Sequence, residues 1–297
     1  MRQKYTSGRA EKMKKIDLHT HSTASDGTDS PSALVRRAKD AGLAAIALTD
    51  HDTNAGLAEA RIAARLHDII LVPGCEISTR TQAASMHILG LWIPSDNAAL
   101  NNFFQYLNEV RERRNRQIIA KLQSCGIKIT LAEVMAEAAG TTGRPHFANV
   151  LVKKGVVEDI SEAFSAYLGH TGKAYVPKEP VDPASACRIL SDAGATVILA
   201  HPLLDHPDIS WLDRKIHELS KSGLQGLEVW HTVPNPENEI LLLEMARAHG
   251  MLVSGGTDYH GANKPEISLG TGYGNLDVPF AVYENLCIAR KKRGLPC

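Results

Sequence analysis

The chain has 297 residues, 43% apolar and 22% charged, which is ordinary for a soluble globular protein and ample for a sizeable core. Lysine plus arginine and aspartate plus glutamate balance at 33 each. No global charge therefore favours nucleic acid or a membrane surface, and any anion site must be local.

Residues 1–14 are basic (Arg2, Lys4, Arg9, Lys12 and Lys14, with Lys15 next) and lack the apolar core of a signal peptide. They are expected to be a disordered extension, with Met13 a candidate start of the ordered chain. Residues 16–18 end a first strand that leads into Asp17-Leu18-His19-Thr20-His21-Ser22. Alternate side chains of a strand share a face, so His19 and His21 project together. With Asp26 in the Ser-Asp-Gly turn that follows, the pair suits a divalent metal such as Zn, Mn or Fe. A hydrogen-bonded surface strand would carry the same three residues.

Ser30-Pro31 reads as the start of a helix with Leu34, Val35, Ala38 and Ala41 on its apolar face and Gly42 as its stop. A strand over 45–48 ends in Thr49-Asp50-His51-Asp52, and a helix covers 55–66. A strand over 69–72 ends in Pro73-Gly74-Cys75-Glu76, and one over 86–93 carries His87 at its beginning. Residues 97–124 form one long helical pattern, basic at Arg111, Arg113, Arg114 and Arg116. Helical pieces continue to 168, and a loop rich in Gly, Lys and Pro spans 169–183. Alternation then resumes: helix 183–192, strand 196–200 ending in His201-Pro202, helix 210–222, strand 226–230 ending in His231, and helix 236–249. A strand over 251–254 is followed by Gly255-Gly256, read as a tight turn, then by Thr257-Asp258-Tyr259-His260; a helix over 279–293 closes the chain.

Strands alternating with helices predict an α/β fold of βα units. The polar groups His19, His21, His51, Glu76, His201, His231 and Asp258 with His260 are placed at strand ends, the face on which βα barrels carry their chemistry. His87, at a strand's beginning, requires a strand running the other way or an edge position. The expected division is a barrel from 15–96 and 184–297, with 97–183 a helical insertion that caps the site and binds substrate. Cys75, Cys125, Cys187, Cys287 and Cys297 are scattered without Cys-x-x-Cys spacing. That argues against a disulfide framework and for a reducing compartment, so the cytoplasm is expected. No apolar run reaches the length of a membrane span, and nothing calls for an obligate protein partner.

The segments around His19 and His21, Thr49-Asp50-His51-Asp52, Gly74-Cys75-Glu76, His87, Ala200-His201-Pro202 and Gly256-Thr257-Asp258-Tyr259-His260 together resemble the PHP (polymerase and histidinol phosphatase) phosphoesterases. The resemblance implies a distorted (β/α)7 barrel and two to three divalent ions: Mn, Fe or Zn, with Mg an alternative. It further implies that His19, His21, Glu76 and Asp258 hold one ion, that Glu76 bridges to a second on His87 and His201, and that Asp26, His51 and His260 hold a third. Asp50 and Asp52 flank His51 and are expected to orient its ring. Glu228 and His231 are expected to line the barrel rim.

Such a cluster activates water and stabilises charge on the attacking and leaving oxygens of a phosphate ester, so no protein nucleophile is needed. No nucleophile elbow or Gly-x-x-x-x-Gly-Lys-Ser/Thr loop is present. Candidate phosphate-binding residues are Arg113, Arg114, Asn115, Arg144 and His146, with Arg116, Lys173 and Lys178 weaker; a solvated helix face is the competing reading for Arg111 and Arg114. The helical block with its Arg-Pro-His turn is similar to the family branch acting on nucleotides. The resemblance implies a 3′,5′-nucleoside bisphosphate or a short single-stranded oligonucleotide end as substrate, and phosphate as product. Histidinol phosphate is the alternative substrate, and a non-catalytic accessory module the alternative role.

Overall fold

The computed structural model describes residues 14–297 except 139, 178, 180, 206, 207, 233 and 234. Lys178 and all of the expected N-terminal extension but Lys14 thus lie outside the described residues. Lys14 itself is tied down, its carbonyl accepting from Phe280 N at 2.9 Å.

Seven strands form one sheet in chain order: β1 (Lys15–Asp17), β2 (Leu43–Leu48), β3 (Ile70–Arg80), β4 (Ser85–Leu91), β5 (Thr196–Leu199), β6 (Gly226–His231) and β7 (Leu252–Gly256). All neighbours pair in parallel except β4, which is antiparallel to both β3 and β5. That reversal explains His87: the start of β4 lies beside the end of β3, and His87 is in register with Ser78. The sheet nearly closes, because Leu18 N donates to Gly255 O at 3.1 Å and Asp258 N to His19 O at 2.9 Å.

Two expected strand ends are corrected. Pro73 and Gly74 lie within β3, not after it, so Glu76 is mid-strand. The parallel ladder with β2 stops at Pro73, and the antiparallel ladder with β4 starts at Gly74. The missing proline N–H falls at the change of partner, and the Pro73 carbonyl still accepts from Ile93 N at 2.9 Å. Gly255 and Gly256 likewise belong to β7 rather than to a turn. A Cβ on Gly256 would lie 2.4 Å from His19 N, so the absence of a side chain is what lets β7 approach the loop after β1.

The parallel strands are joined by helices α1 (Pro31–Asp40), α2 (Leu57–His67), α9 (Ile209–Ser220) and α10 (Pro236–Ala248). Proline opens α1, α10 and α7 (Pro183–Asp192), where its lacking N–H costs nothing. Side chains of alternate parity feed different cores: Ile46, Leu48, Val197 and Leu199 pack with these helices, whereas Ala45, Ala47, Ile198 and Ala200 pack with α11 (Phe280–Lys292). After α11 the chain turns back through a Leu295 N to Arg290 O bond of 3.0 Å. This brings Cys297 to Cys287, and the two form a disulfide with Cα atoms 5.5 Å apart. The expectation of unpaired cysteines is corrected at this one pair.

Between β4 and β5 the chain forms α3 (Ala98–Ser124), α4 (Leu131–Ala136), α5 (Arg144–Lys153), α6 (Ile160–Ala163), a π-helical turn over Phe164–Leu168, and α7. Asn97 caps α3 by accepting from Leu100 N at 2.9 Å. The first half of α3 (Leu100, Phe104, Leu107) packs into the barrel's helix layer; its second half (Ile118, Ile119, Leu122) packs into a separate core drawn from residues 118–176. Arg111 and Arg114 sit where these two cores meet. The short α8 (Pro202–Asp205) follows β5. Among the described residues no helix is long and apolar enough to cross a membrane.

Candidate metal centre

His19 and His21 follow β1 with ring centroids 5.2 Å apart. Both are fully buried, as is Glu76 opposite them. One carboxylate serves five imidazoles: Glu76 Oε2 lies 3.2 Å from His19 Nε2, 3.1 Å from His21 Nε2 and 3.1 Å from His51 Nδ1. Its Oε1 lies 2.7 Å from His87 Nδ1 and 3.2 Å from His201 Nε2. Asp258 Oδ1 is 3.2 Å from His21 Nε2, and His260 Nε2 is 3.3 Å from Asp26 Oδ1. All nine expected ligands therefore converge.

Three subsets bring one donor atom per residue within 4.8 Å of one another: His19, His21, Glu76 and Asp258; His21, Asp26, His51 and His260; and His51, Glu76 and His87. The first matches the expected grouping. The other two share His51, with His21 joining the second, and His51 stands in the third in the place expected for His201. These groups fit cations. His19 Nε2, both nitrogens of His21 and Glu76 Oε2 are buried, and their close approaches to one another lack hydrogen-bond geometry. Leaving such atoms unpaired costs about 1–3 kcal/mol each, which ions held between them would relieve. The charges say the same. Burial alone would lower His19 and His21, yet Glu228 and Glu76 hold His19 well above its ordinary value, and Asp258 and Glu76 hold His21 up to about 9. His51, where burial dominates, falls to about 3 and is neutral, the form a metal-binding imidazole needs. Burial would raise Glu76, Asp26 and Asp258, but the surrounding imidazoles keep all three well below the carboxylate range.

The supporting shell differs from expectation. Glu228 does more than line the rim: its Oε1 lies 3.0 Å from His19 Nδ1 and its Oε2 accepts from His201 N at 2.7 Å. It thereby fixes the tautomer and direction of the His19 ring. Asp50 accepts from Ser22 N, Ser22 Oγ and Ser25 Oγ, and so shapes the loop after β1. Asp52 accepts from Ser78 N at 3.0 Å and pairs with Arg111 Nη2. Asp17, which opens the His-x-His motif, accepts from Thr257 N at 2.9 Å and Gly270 N at 2.9 Å, locking β1 to the loop that carries Asp258.

Two concavities share the cluster as their floor. A cavity of about 190 Å³ is lined by Arg80, Arg111, Arg114, Arg144 and Tyr175 beside Asp26, His51 and His87. A wider cleft of about 700 Å³ runs between Pro145, Ile160 and Phe164 on one wall and Leu204 and Pro265 on the other. Burial, then repulsion from Arg144 and Arg111, lowers Arg114 to about 10, a sign of how closely these guanidiniums crowd there. The structure does not bring Arg113 and Arg116 there. At about 100° per residue they lie across α3 from Arg111 and Arg114, more than half exposed, and pair with Glu179 and Glu112. Asn115 donates to Thr142 O at 3.0 Å and braces the turn before Arg144. His146 Nδ1 accepts from Gly143 N at 2.9 Å, a capping role at the start of α5. His231 lies beside His201, ring centroids 5.5 Å apart, and Lys173 is exposed over the Tyr167 ring. Nothing in the sequence marks Lys264, since no motif contains it; its Nζ lies 2.6 Å from Asp258 Oδ2.

Residues 17–175 match the PHP domain, which is more than half of the chain. The chain belongs to the PHP family. The match ends before His201, Asp258 and His260, which this PHP chain nevertheless returns to the same cluster. A 5′-3′ exoribonuclease from Haemophilus influenzae is 36% identical over 83% of this chain and 90% of its own. A 3′,5′-nucleoside bisphosphate phosphatase from Chromobacterium violaceum is 33% identical over 84% of this chain and 88% of its own. Among solved structures, a candidate metal-dependent phosphoesterase from Bifidobacterium adolescentis superposes with a TM-score of 0.83 at 34% identity, covering 92% of this chain and 96% of that one.

Proposed function

We propose that this PHP protein is a metal-dependent phosphoesterase that hydrolyses a phosphate ester of a nucleotide-type substrate, either a 3′,5′-nucleoside bisphosphate or the 5′ end of a short oligonucleotide. The observation that carries this reading is the juxtaposition of the nine-residue His/Asp/Glu cluster with a cation-rich cavity on one side and an apolar-walled cleft on the other. One side suits a phosphate, the other a nucleoside. The names of the relatives point to the same substrate classes.

His19, His21, Asp26, His51, Glu76, His87, His201, Asp258 and His260 are assigned as ligands of two to three divalent ions of the Mn, Fe or Zn type. When bound, these ions supply an activated water and offset the charge of the phosphoryl group. Glu228 keeps His19 aligned. Arg114 and Arg144 bind a second phosphate in the small cavity, and Arg111, held against Asp52, forms its wall. Pro145 and Phe164 pack against the nucleoside and exclude water from that side. Residues 97–183 act as the substrate-binding cap, and the protein works in the cytoplasm. A histidinol-phosphate phosphatase would have no use for four crowded guanidiniums, and a non-catalytic module none for a full set of candidate ligands.

The test is phosphate release from adenosine 3′,5′-bisphosphate, histidinol phosphate and a short 5′-phosphorylated RNA, each with manganese. The nucleotide substrates should be turned over best. Preference for histidinol phosphate would overturn the substrate assignment, and full activity of His51→Ala would overturn the assignment of the centre.

A further inference from the structure

Lys264 stands at the mouth of the metal centre and belongs to none of the segments that build it. Its side chain lines the wide cleft together with Asp26, His51, His87, His201 and His260, and is 37% exposed. Its position is built rather than incidental. The turn Gly261–Asn263 is pinned to the loop after β1 by Ala262 N donating to Thr28 Oγ1 at 2.8 Å and Asn263 Nδ2 donating to Asp26 O at 2.7 Å. Gly261 has φ +65, and a Cβ there would strike Thr28, so only glycine lets the turn seat so closely. Lys264 N then closes the turn on Gly261 O at 3.1 Å, which fixes where the side chain starts.

Asp258 divides its two oxygens. Oδ1 faces His19 and His21 inside the cluster, and Oδ2 faces the Lys264 ammonium at 2.6 Å. An ammonium has three N–H donors, and that contact uses one of them. The other two are free to point into the cleft. Charge leads to the same place: with divalent ions held among Asp26, Glu76 and Asp258, the ammonium would add to a positive field at the floor of the cleft, which suits an anion above it.

We propose that Lys264 is a substrate-contact residue, held by Asp258 so that its remaining N–H groups bond a phosphoryl oxygen of the ester seated on the metal centre. This rests on the phosphoesterase reading above and adds a specific contact to it. An alternative is that Lys264 merely steadies Asp258 as a ligand, and the two separate cleanly by experiment.

Lys264→Ala and Lys264→Arg are compared with the wild type, each loaded with manganese. Binding of inorganic phosphate is measured by calorimetry, bound manganese by elemental analysis, and kcat and KM with adenosine 3′,5′-bisphosphate. Loss of one charge-assisted bond predicts phosphate binding weakened about tenfold in Lys264→Ala, partly restored in Lys264→Arg, at unchanged manganese content. Unchanged phosphate binding in Lys264→Ala, or a loss traced wholly to lower manganese content, would overturn the proposal. A wild type that binds manganese and phosphate but releases none from any ester would instead sink the enzymatic reading, leaving the Lys264 contact to stand on the calorimetry.

Discussion

Replacing Glu228 by glutamine probes how the centre is held together without touching a ligand. Glu228 is fully buried, and each of its oxygens has a separate partner. Oε1 meets His19 Nδ1 at 3.0 Å and Oε2 accepts from His201 N at 2.7 Å. Glutamine keeps the shape but has one acceptor oxygen, so either His19 or the His201 amide must face an NH₂ group. An unpaired buried donor costs about 1–3 kcal/mol. The charge is lost as well. Burial would lower His19, and Glu228 is the foremost of the two carboxylates that reverse this, so the variant's His19 is a weaker ligand. Partners of this kind change metal affinity about 10–100-fold when removed. Manganese titration of Glu228→Gln should therefore require about 10–100-fold more metal for half-maximal activity. The metal-free protein should also melt several degrees lower, at about 2–4 °C per kcal/mol for a domain of this size. Glu239→Gln, a change on the Trp230 Nε1 acceptor outside the cluster, serves as the control. Wild-type manganese affinity in Glu228→Gln would refute the claim that Glu228 aligns His19.

Acidity offers a second check. His21 is held at about 9 against an ordinary 6.5, because Asp258 and Glu76 outweigh the lowering by burial. A raised folded value means that this stabilisation is complete below 6.5 and lost as the pH rises through 9. The metal-free melting temperature should fall across that window while the manganese-loaded one holds, since ions replace the protons; a metal-free value that rises would contradict the charge assignment. Arg144→Ala should raise KM for a 3′,5′-bisphosphate about tenfold or more, the worth of a charge-assisted phosphate bond, whereas Arg113→Ala and Arg116→Ala should leave kinetics unchanged. Equal effects at Arg113 and Arg144 would show that the small cavity is not the phosphate site. Gly256→Ala forces a Cβ to within 2.4 Å of His19 N and should cost about 3 kcal/mol in a denaturant titration, together with metal binding. Wild-type stability there would mean that β1 and β7 do not meet as described.

The strands and the residues of the cluster are legible in the sequence because most strands are short, apolar and punctuated by histidine or carboxylate, and because His87 breaks the rule in the one way a reversed strand permits. Three features are not. Pro73-Gly74 and Gly255-Gly256 look like strand terminators, and only the ladders show that each sits inside a strand, at a change of partner or a close approach. Glu228 looks like any rim carboxylate, since nothing in the order of residues says that it faces His19 across the barrel. The arginines do carry a usable signal in their spacing: residues 111 and 114 are a turn apart on α3 and share a face, whereas 113 and 116 fall opposite.

The reversal of β4 also accounts for the length of α3. Because β4 enters beside Arg80, passes the centre at His87 and then runs away from it, its steps from His87 to Leu91 carry the chain about 14 Å toward the far end of the barrel. Any residue of the following segment that is to reach the substrate must recover that distance. From Ala98 to Arg111 a helix rises about 20 Å at about 1.5 Å per residue, which returns the guanidinium of Arg111 to Asp52, next to His51. A short helix followed by a loop would span the same gap but would not fix which face arrives. The packing of Leu100, Phe104 and Leu107 on the barrel sets the rotation of α3 before the arginines are reached, so the reversed strand and the rigid return helix together determine which cations line the small cavity.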